Sequence, residues 1–208
     1  HTNFSMEAIQ QTVNGSSSVG ASNNSGTVTI SRNGDLVSNI YVRCDQDTSN
    51  GISGDQLIHE VELEIGGQRI DKHTREWLQV WAELSTPESK ANGYKYLTGG
   101  FSNQLVTGGA AAAGGTLQQS VMVPLQFWFC RNPGLALPLI ALQYHEVKII
   151  INWTSVANAN AATEAPTLWA DYIYLDTDER RRFAQVSHEY LIEQVQHQPL
   201  DSVATTTR

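Results

Sequence analysis

The sequence is poor in the residues that build covalent, metallic or membrane-spanning frameworks. Its 208 residues include only two cysteines, Cys44 and Cys130, which match no metal-ligand spacing and are too few for a disulfide framework. We expect both thiols to be buried and reduced, while a single Cys44–Cys130 bridge stays open as an alternative. No apolar run approaches the ~20 residues that a membrane-spanning helix needs. The sequence therefore predicts no membrane insertion.

Positive charge is also scarce. Lysine and arginine total 13 against 21 aspartates and glutamates, so the formal net charge is -8. Nucleic-acid binders usually carry a basic patch that neutralises phosphates, and we expect no direct contact with nucleic acid. The densest basic run, Arg180-Arg181-Arg182, directly follows Asp178-Glu179. This mixed run predicts an ion-pair cluster that is either solvated or shared between subunits.

The sequence lacks the motifs of catalysis and of metal binding. Three His-Glu pairs occur, but none has the second histidine that a zinc protease helix requires three residues after the glutamate. No His-x-His of the cupin type, no phosphate-binding Gly-Lys-Ser/Thr loop and no Gly-x-Ser-x-Gly elbow is present. We therefore predict no catalytic residue, no cofactor and no metal site. The three pairs are His59-Glu60, His145-Glu146 and His188-Glu189.

Alternation with a period of two is the dominant pattern, as expected of strands with one buried face. Residues 59–65 show it most clearly, with valine, leucine and isoleucine on one side and Glu60, Glu62 and Glu64 on the other. Carboxylates two residues apart on a flat strand do not converge on one ion, so we interpret the glutamates as a solvated face. Gly66-Gly67 predicts a hairpin turn.

Other segments complete an all-β pattern. Phe4, Met6 and Ala8 are expected on one buried face, and Leu36, Ile40, Val42 and Cys44 on another. Further strands are predicted in residues 28–30, 68–70, 121–129, 147–151, 169–175 and 189–195. One short helix is predicted between Thr74 as N-cap and Pro87, with Trp77 and Trp81 on its packing face. Residues 86–118 and 155–166 are predicted as long surface loops. The sequence thus predicts an eight-stranded antiparallel jelly-roll β-sandwich.

Glycosylation sequons of the Asn-x-Ser/Thr type occur at four positions. Asn152 ends a strand pattern and is a poor acceptor, and Asn3 lies at the start of the chain. Asn14 and Asn23 lie in a predicted loop, so they are the candidate glycosylation sites.

Residues 132–148, with the sequence NPGLALPLIALQYHEVK, carry a resemblance to a known family. They are similar to a signature of the major capsid proteins of nucleocytoplasmic large DNA viruses, and most similar to those of chlorella viruses and their algal-virus relatives. Further segments resemble the same family in the same order along the chain: residues 31–36, 61–73, 171–176, 183–185 and 188–193.

The resemblance implies a structural role without enzymatic activity. Family members fold as two consecutive jelly rolls, and three copies form a capsomer that tiles an icosahedral shell. By this resemblance, residues 1–198 are the N-terminal jelly roll, and the polar tail 199–208 is a linker to a second one. The implied partners are further copies of the protein and neighbouring or minor capsid proteins. The implied location is the capsid of a virion assembled in the host cytoplasm. The sequence begins without Met or a signal region, so the chain is either processed or a fragment, and we expect a fragment because a strand pattern starts as early as Phe4.

A glycan-binding jelly-roll module is the alternative function. Sugar sites often use exposed aromatic side chains on loops, and the predicted loop at 86–118 offers Tyr94, Tyr96 and Phe101.

Overall fold

The computed structural model describes residues 3–15, 24–47, 54–99, 118–154 and 165–198. Ten strands run through this part of the chain: β1 (Phe4–Gln11), β2 (Val13–Gly15), β3 (Ser25–Thr29), β4 (Leu36–Asp47), β5 (Ile58–Ile65), β6 (Gln68–Thr74), β7 (Gln118–Pro124), β8 (Leu137–Pro138), β9 (Val147–Trp153) and β10 (Thr167–Leu175). Four α-helices accompany them: α1 (Arg75–Ser85), α2 (Glu88–Thr98), α3 (Trp128–Arg131) and α4 (Thr177–Gln185).

The strands form two antiparallel sheets. The first sheet has the order β1-β10-β4-β7, with the short β8 paired to β4, and the second has the order β2-β3-β9-β5-β6. The chain crosses repeatedly from one sheet to the other, so that sequence neighbours such as β9 and β10 lie in opposite sheets. Without the short β2 and β8, eight strands remain in two four-stranded sheets. This arrangement confirms the predicted jelly-roll sandwich.

The core fills the space between the two sheets. Alternate residues of β5 and β9, including Val61, Leu63, Ile149 and Ile151, are fully buried. They meet β4 and β10 side chains from the first sheet within one hydrophobic cluster. Burial of these apolar side chains is the main stabilising contribution to the sandwich.

The β5–β6 hairpin follows the prediction. Gly66 and Gly67 have φ of 61° and 84°, the left-handed conformation that a tight hairpin turn needs and that glycine adopts without strain. The turn is also hydrogen-bonded to the residue that precedes β9, because the Gly66 amide donates to the Glu146 carbonyl at 2.8 Å.

The helix predicted after Thr74 is confirmed, and it is followed by a helix that was not predicted. The Thr74 side chain caps α1 by accepting a hydrogen bond from the Trp77 amide. Residues 88–98 form α2, so the predicted loop from residue 86 was wrong over this stretch. α2 buries only Thr98 and therefore has no apolar period by which the sequence could indicate it.

Two further predictions were wrong at the ends of strands. β7 ends at Pro124, and Trp128–Arg131 form the short α3 rather than the end of a strand. Residues 189–195 belong to no strand. They have no regular secondary structure, and the Val195 amide donates to the Asp71 side chain. α4 was not predicted because none of its residues is buried.

Two predictions of which strand face is buried were also wrong. Phe4 and Met6 of β1 are exposed, because Ile9 and Gln11 are the residues of that strand that turn towards the core. A bulge in β4 between Val37 and Ile40 changes the register with β10. Val37 and Ile40 consequently both lie in the core, while Leu36 joins a separate cluster with Ile173.

Several predictions lie outside the described residues: the loop tract 100–117, the loop 155–164, the tail 199–208, and the residues Asn23 and Phe101. Within the described residues, no helix combines the length and the apolar character needed to cross a membrane.

The position of Leu63 yields a stability prediction. We expect Leu63→Ala to lower the free energy of unfolding by about 2–5 kcal/mol, because the side chain is fully buried and its removal leaves a cavity. Leu84→Ala is the matched control, since Leu84 is 77% exposed on α1 and should change the value by less than about 0.5 kcal/mol. Urea unfolding followed by circular dichroism measures both. Equal losses in the two variants would contradict the assigned core.

Candidate interaction surfaces

The described residues hold no group of three or more His, Cys, Asp or Glu side chains arranged to bind a metal ion. The three His-Glu pairs lie on separate segments, in β5, in the turn before β9 and in the chain after α4. His188 contacts the Phe183 carbonyl oxygen at 2.9 Å and stacks on the Phe183 ring. The structure therefore brings none of these three histidines together in one site. The candidate sites described below are surfaces that could contact other molecules.

The outer face of the second sheet is charged. Glu60 and Glu62 lie on β5 as predicted, and Glu62 is directly opposite Lys72 of β6. The Lys72 ammonium is 2.5 Å from Glu60 and 3.5 Å from Glu62, and Arg69 lies 3.5 Å from Glu62. Burial alone raises the pKa of Glu60, but its hydrogen bonds with Lys72 and Asn152 outweigh that effect and hold the pKa below its ordinary value. The hydrogen bond to Glu60 raises the pKa of Lys72. These cross-strand ion pairs occupy the outer face, where Glu60, Glu62 and Lys72 are partly exposed.

One end of the outer face of the first sheet is apolar. Phe4 pairs in register with Leu175, and Met6 with Ile173, so all four side chains project from the same side of the sheet. Ile173 belongs to a buried cluster with Leu36 and Ala136. Leu175 of β10 and Phe183 of α4 pack against this cluster. Phe4 and Met6 are 63% and 54% exposed. Part of this face is thus covered by α4, and part is open.

The helix α4 carries the basic run. Asp176 caps it by accepting a hydrogen bond from the Glu179 amide at 3.1 Å. Arg180 donates to the buried carboxylate of Asp35 at 2.8 Å, which fastens the helix to the sandwich. Arg181 lies 4.0 Å from Asp178, and both side chains are exposed. The predicted ion-pair cluster therefore consists of two separate pairs: Arg180 with the buried Asp35, and Arg181 with Asp178 at the surface.

Residues 187–198 form a strap that leaves α4 and runs to the edge of the second sheet. Glu193 forms an ion pair with Arg131 of α3 at 2.8 Å. The side-chain amide of Gln194 donates to the Ile70 carbonyl. The Val195 amide donates to Asp71 at 3.0 Å. The strap is thus attached by side chains and single amides, without a strand ladder.

Asp71 and His73 form a buried pair beneath the strap. Their side chains are 1% and 0% exposed, and Asp71 Oδ2 lies 3.0 Å from His73 Nε2. The two atoms are in contact, but the angle departs from hydrogen-bond geometry, and neither ring nitrogen of His73 has a hydrogen-bond partner among the described residues. His73 also stacks on Phe127 with ring centroids 4.8 Å apart. Sequence analysis missed this pair because only the fold shows that both residues are interior.

The electrostatics of Asp71 favour its ionised form. Burial by itself raises the pKa of the carboxyl group, but contact with His73 and the hydrogen bond from the Val195 amide outweigh it, so the pKa lies below its ordinary value. A pKa that is lower in the folded state contributes stability above the ordinary value, and this contribution is lost as the pH falls through the folded value.

The two cysteines are free thiols in separate surroundings. Cys44 is buried in a small cluster with Leu57 and Val121. Cys130 is half-buried against the main core. Burial raises the pKa of the Cys130 thiol to about 12, so the group stays protonated and unreactive at neutral pH.

Those of the remaining candidate residues that lie in the described part of the chain are found on regular elements rather than on loops. Asn14 lies in β2, paired with Thr27 of β3, and its side chain is exposed. The prediction of a loop was wrong there, but the residue stays accessible. Tyr94 and Tyr96 belong to α2 and not to a loop, so two of the three aromatic residues on which a glycan-binding module was predicted are not loop residues.

Comparison with known proteins identifies a family. A family model described as the N-terminus of the major capsid protein matches residues 1–176. The major capsid protein of Pyramimonas orientalis virus is 53% identical over 207 residues, covering 94% of this chain and 50% of the relative. That of Paramecium bursaria Chlorella virus 1 is 46% identical over 212 residues, covering 94% of this chain and 46% of the relative. The chain spans about half the length of these curated relatives.

Solved structures agree with the sequence comparison. A quasi-atomic model of the PBCV-1 virus capsid matches with a TM-score of 0.79 and 42% identity, covering 94% of this chain and 48% of that chain. The Faustovirus major capsid protein matches with a TM-score of 0.59 at 12% identity, covering 88% of this chain and 56% of that chain. The second likeness concerns the fold alone.

The buried Asp71 carboxylate yields a prediction about the strap. We expect Asp71→Asn to lower the free energy of unfolding at pH 7 by about 1–3 kcal/mol, because a charged acceptor for the Val195 amide is lost. Hydrogen exchange of the Val195 amide should accelerate. As the pH falls below about 4, the wild type should lose stability faster than the variant, because protonation of Asp71 removes the same contribution.

Asp178→Asn serves as the control, since this carboxylate is almost fully exposed and should change stability by less than about 0.5 kcal/mol. Urea unfolding at several pH values and amide exchange by mass spectrometry make the comparison. Unchanged protection of Val195 in the Asp71 variant would show that the carboxylate does not hold the strap.

Proposed function

Because the chain belongs to the family of major capsid protein N-terminal domains, we propose that it is a structural unit of the icosahedral shell of a large double-stranded DNA virus. The observation that carries this proposal is the match with the PBCV-1 capsid over 94% of the chain at 42% identity. At that level of identity the likeness concerns the family as well as the fold.

The proposed role is self-association without catalysis. The protein that contains this chain would form homotrimeric capsomers, which pack against one another and against neighbouring or minor capsid proteins. The chain's net charge of -8 argues against direct binding of the enclosed DNA. The separated histidines and the protonated Cys130 thiol support a role that is not enzymatic. We propose the virion capsid as its location and the host cytoplasm as the site of assembly.

The domain organisation is also a proposal. Residues 1–198 would form one N-terminal jelly roll, in which the strap 187–198 is an integral part of the unit because Asp71, Arg131 and the Ile70 carbonyl hold it. Residues 199–208 would then lead to a second jelly roll. The support for a second unit is that the chain matches about half the length of its relatives.

Asn14 and Asn23 remain the proposed glycosylation sites. Asn14 is supported by its exposed side chain on β2. A glycan there would project from the edge of the second sheet, where β2 is the last strand.

The shell role predicts a specific assembly state. We expect the full-length protein isolated from virus particles to sediment as a trimer that survives dilution, because capsomers must persist before they are built into the shell. Sedimentation velocity over a hundredfold concentration range measures this. A glycan array on the same preparation separates the two functions. A monomer that binds a sugar stoichiometrically would replace the shell proposal with a glycan-binding one.

Glycosylation has a separate test. We expect peptide mass spectrometry of the protein from infected cells to show a glycan mass on the peptide that contains Asn14, and Asn14→Gln to remove it. Asn152 is the internal control, because its side chain is half-buried and donates to Glu60 at 2.7 Å. Modification of Asn152 with none on Asn14 would overturn the assignment.

A further inference from the structure

The strap 187–198 contacts an open edge of the second sheet. β6 is the last strand in the order β2-β3-β9-β5-β6, so among the described residues only β5 pairs with it. We propose that the strap protects this edge and prevents a strand of another polypeptide chain from adding to the sheet. The role is independent of the proposed shell function, because an open edge strand can pair with other chains whatever the protein does.

Two backbone groups of β6 that a further strand would need are already bonded to side chains. In an antiparallel ladder, every second residue turns its amide and its carbonyl away from the partner strand. The carbonyl of Ile70 accepts a hydrogen bond from the side-chain amide of Gln194 at 2.6 Å. Two residues on, the amide of Lys72 donates to Asp71 Oδ1 at 2.9 Å, and the Val195 amide donates to the same oxygen at 3.0 Å. The strap thus occupies the middle of the edge.

β6 also has the features of an edge strand that avoids further pairing. A register shift between Leu63 and Glu64 of β5 leaves Ile70 without a partner residue, so β6 carries a bulge there. The charged side chain of Asp71 points inward and is 1% exposed, and the next residue is a lysine. Bulges, inward-pointing charges, edge lysines and covering loops are the devices by which natural sheets protect their edges. The strap supplies the covering loop and bonds to the carbonyl of the bulged residue.

The strap covers the edge without becoming a strand of the sheet. It has no regular secondary structure, and none of its residues is buried. Its ion pair with Arg131 is formed by Glu193, whose side chain is 75% exposed. Exposed ion pairs contribute little to stability, because water and salt screen them. Loss of the two hydrogen bonds to β6 should therefore release the strap and leave β6 open to strand addition, a common mode of protein association.

The test is a variant that loosens the strap in the 208-residue chain. Gln194→Ala with Val195→Pro removes both contacts with β6, because alanine lacks the side-chain amide and proline lacks the backbone donor. In dilute solution we expect the β6 amides to exchange hydrogen about tenfold faster than in the wild type, because an edge without its contacts opens locally. Over a hundredfold rise in concentration, sedimentation velocity should show larger species, and the β6 amides should regain protection as strands of second copies pair with them.

Gln196→Ala with His197→Pro is the matched control. It makes the same two types of change two residues further along the strap, at exposed positions, and should exchange and sediment as the wild type does. Gln194→Ala alone repeats the test with one change at an exposed side chain, and we expect it to accelerate β6 exchange about threefold. Circular dichroism verifies that each variant is folded, and the single variant decides the test where the double variant is not.

Three results would overturn the inference: β6 exchange in the folded strap variants that equals that of the wild type, equal acceleration in the control, or larger species in which the β6 amides stay unprotected. The last result would show that copies meet through another surface. None of these results changes the outcome for the shell role, which is decided by the trimer and sugar measurements on full-length protein.

Discussion

The structure depends on the packing of two sheets through their inner faces. Each long strand offers alternate side chains to a shared core, and Leu63, Ile149 and Tyr172 are examples that are fully buried. Because the chain passes back and forth between the sheets, no pair of neighbouring strands can complete its half of the core alone. Contacts are therefore mostly between residues distant in sequence, and the sandwich is expected to form cooperatively.

Packing between the sheets requires apolar side chains on the inner face of each sheet only, so the composition of the outer face can differ between the two sheets. On the second sheet the free face carries the ion pairs of Lys72 with Glu60 and Glu62. On the first sheet it carries an apolar cluster that α4 covers in part, with the Arg180–Asp35 contact holding the helix in place. A single core thus supports one outer face with charged cross-strand pairs and another with an apolar cluster that a helix covers in part.

The sequence predicts those features that the shared core imposes. The alternation of β5, the turn at Gly66-Gly67 and the Thr74 cap could all be identified because each has a local cause. The helices α2 and α4 could not, because they bury almost nothing and have no apolar period. The predicted buried face of β1 was wrong because alternation defines two faces without indicating which one points inward. In β1 the outward face is the more apolar one.

The interaction surfaces were less predictable than the fold, since they depend on segments that meet only in three dimensions. Asp71 and His73 are ordinary polar residues of a strand in the sequence, and they become an interior pair once Phe127 and the strap enclose them. Residues 189–195 show the same limit, because the segment is held by polar contacts of Glu193 and Gln194 with α3 and β6 and belongs to no sheet, while Leu191 of its alternating pattern is exposed.

The strap is attached to the sandwich by contacts of a different kind from those that hold the core. The Glu193–Arg131 pair and the hydrogen bonds of Gln194 and Val195 fix it to α3 and to the β6 edge of the second sheet. The carboxylate that accepts the Val195 hydrogen bond belongs to the buried Asp71, whose low pKa keeps it charged near neutral pH. Apolar burial therefore holds the sheets together, whereas a buried charge and single polar contacts hold the C-terminal part of the described chain on them.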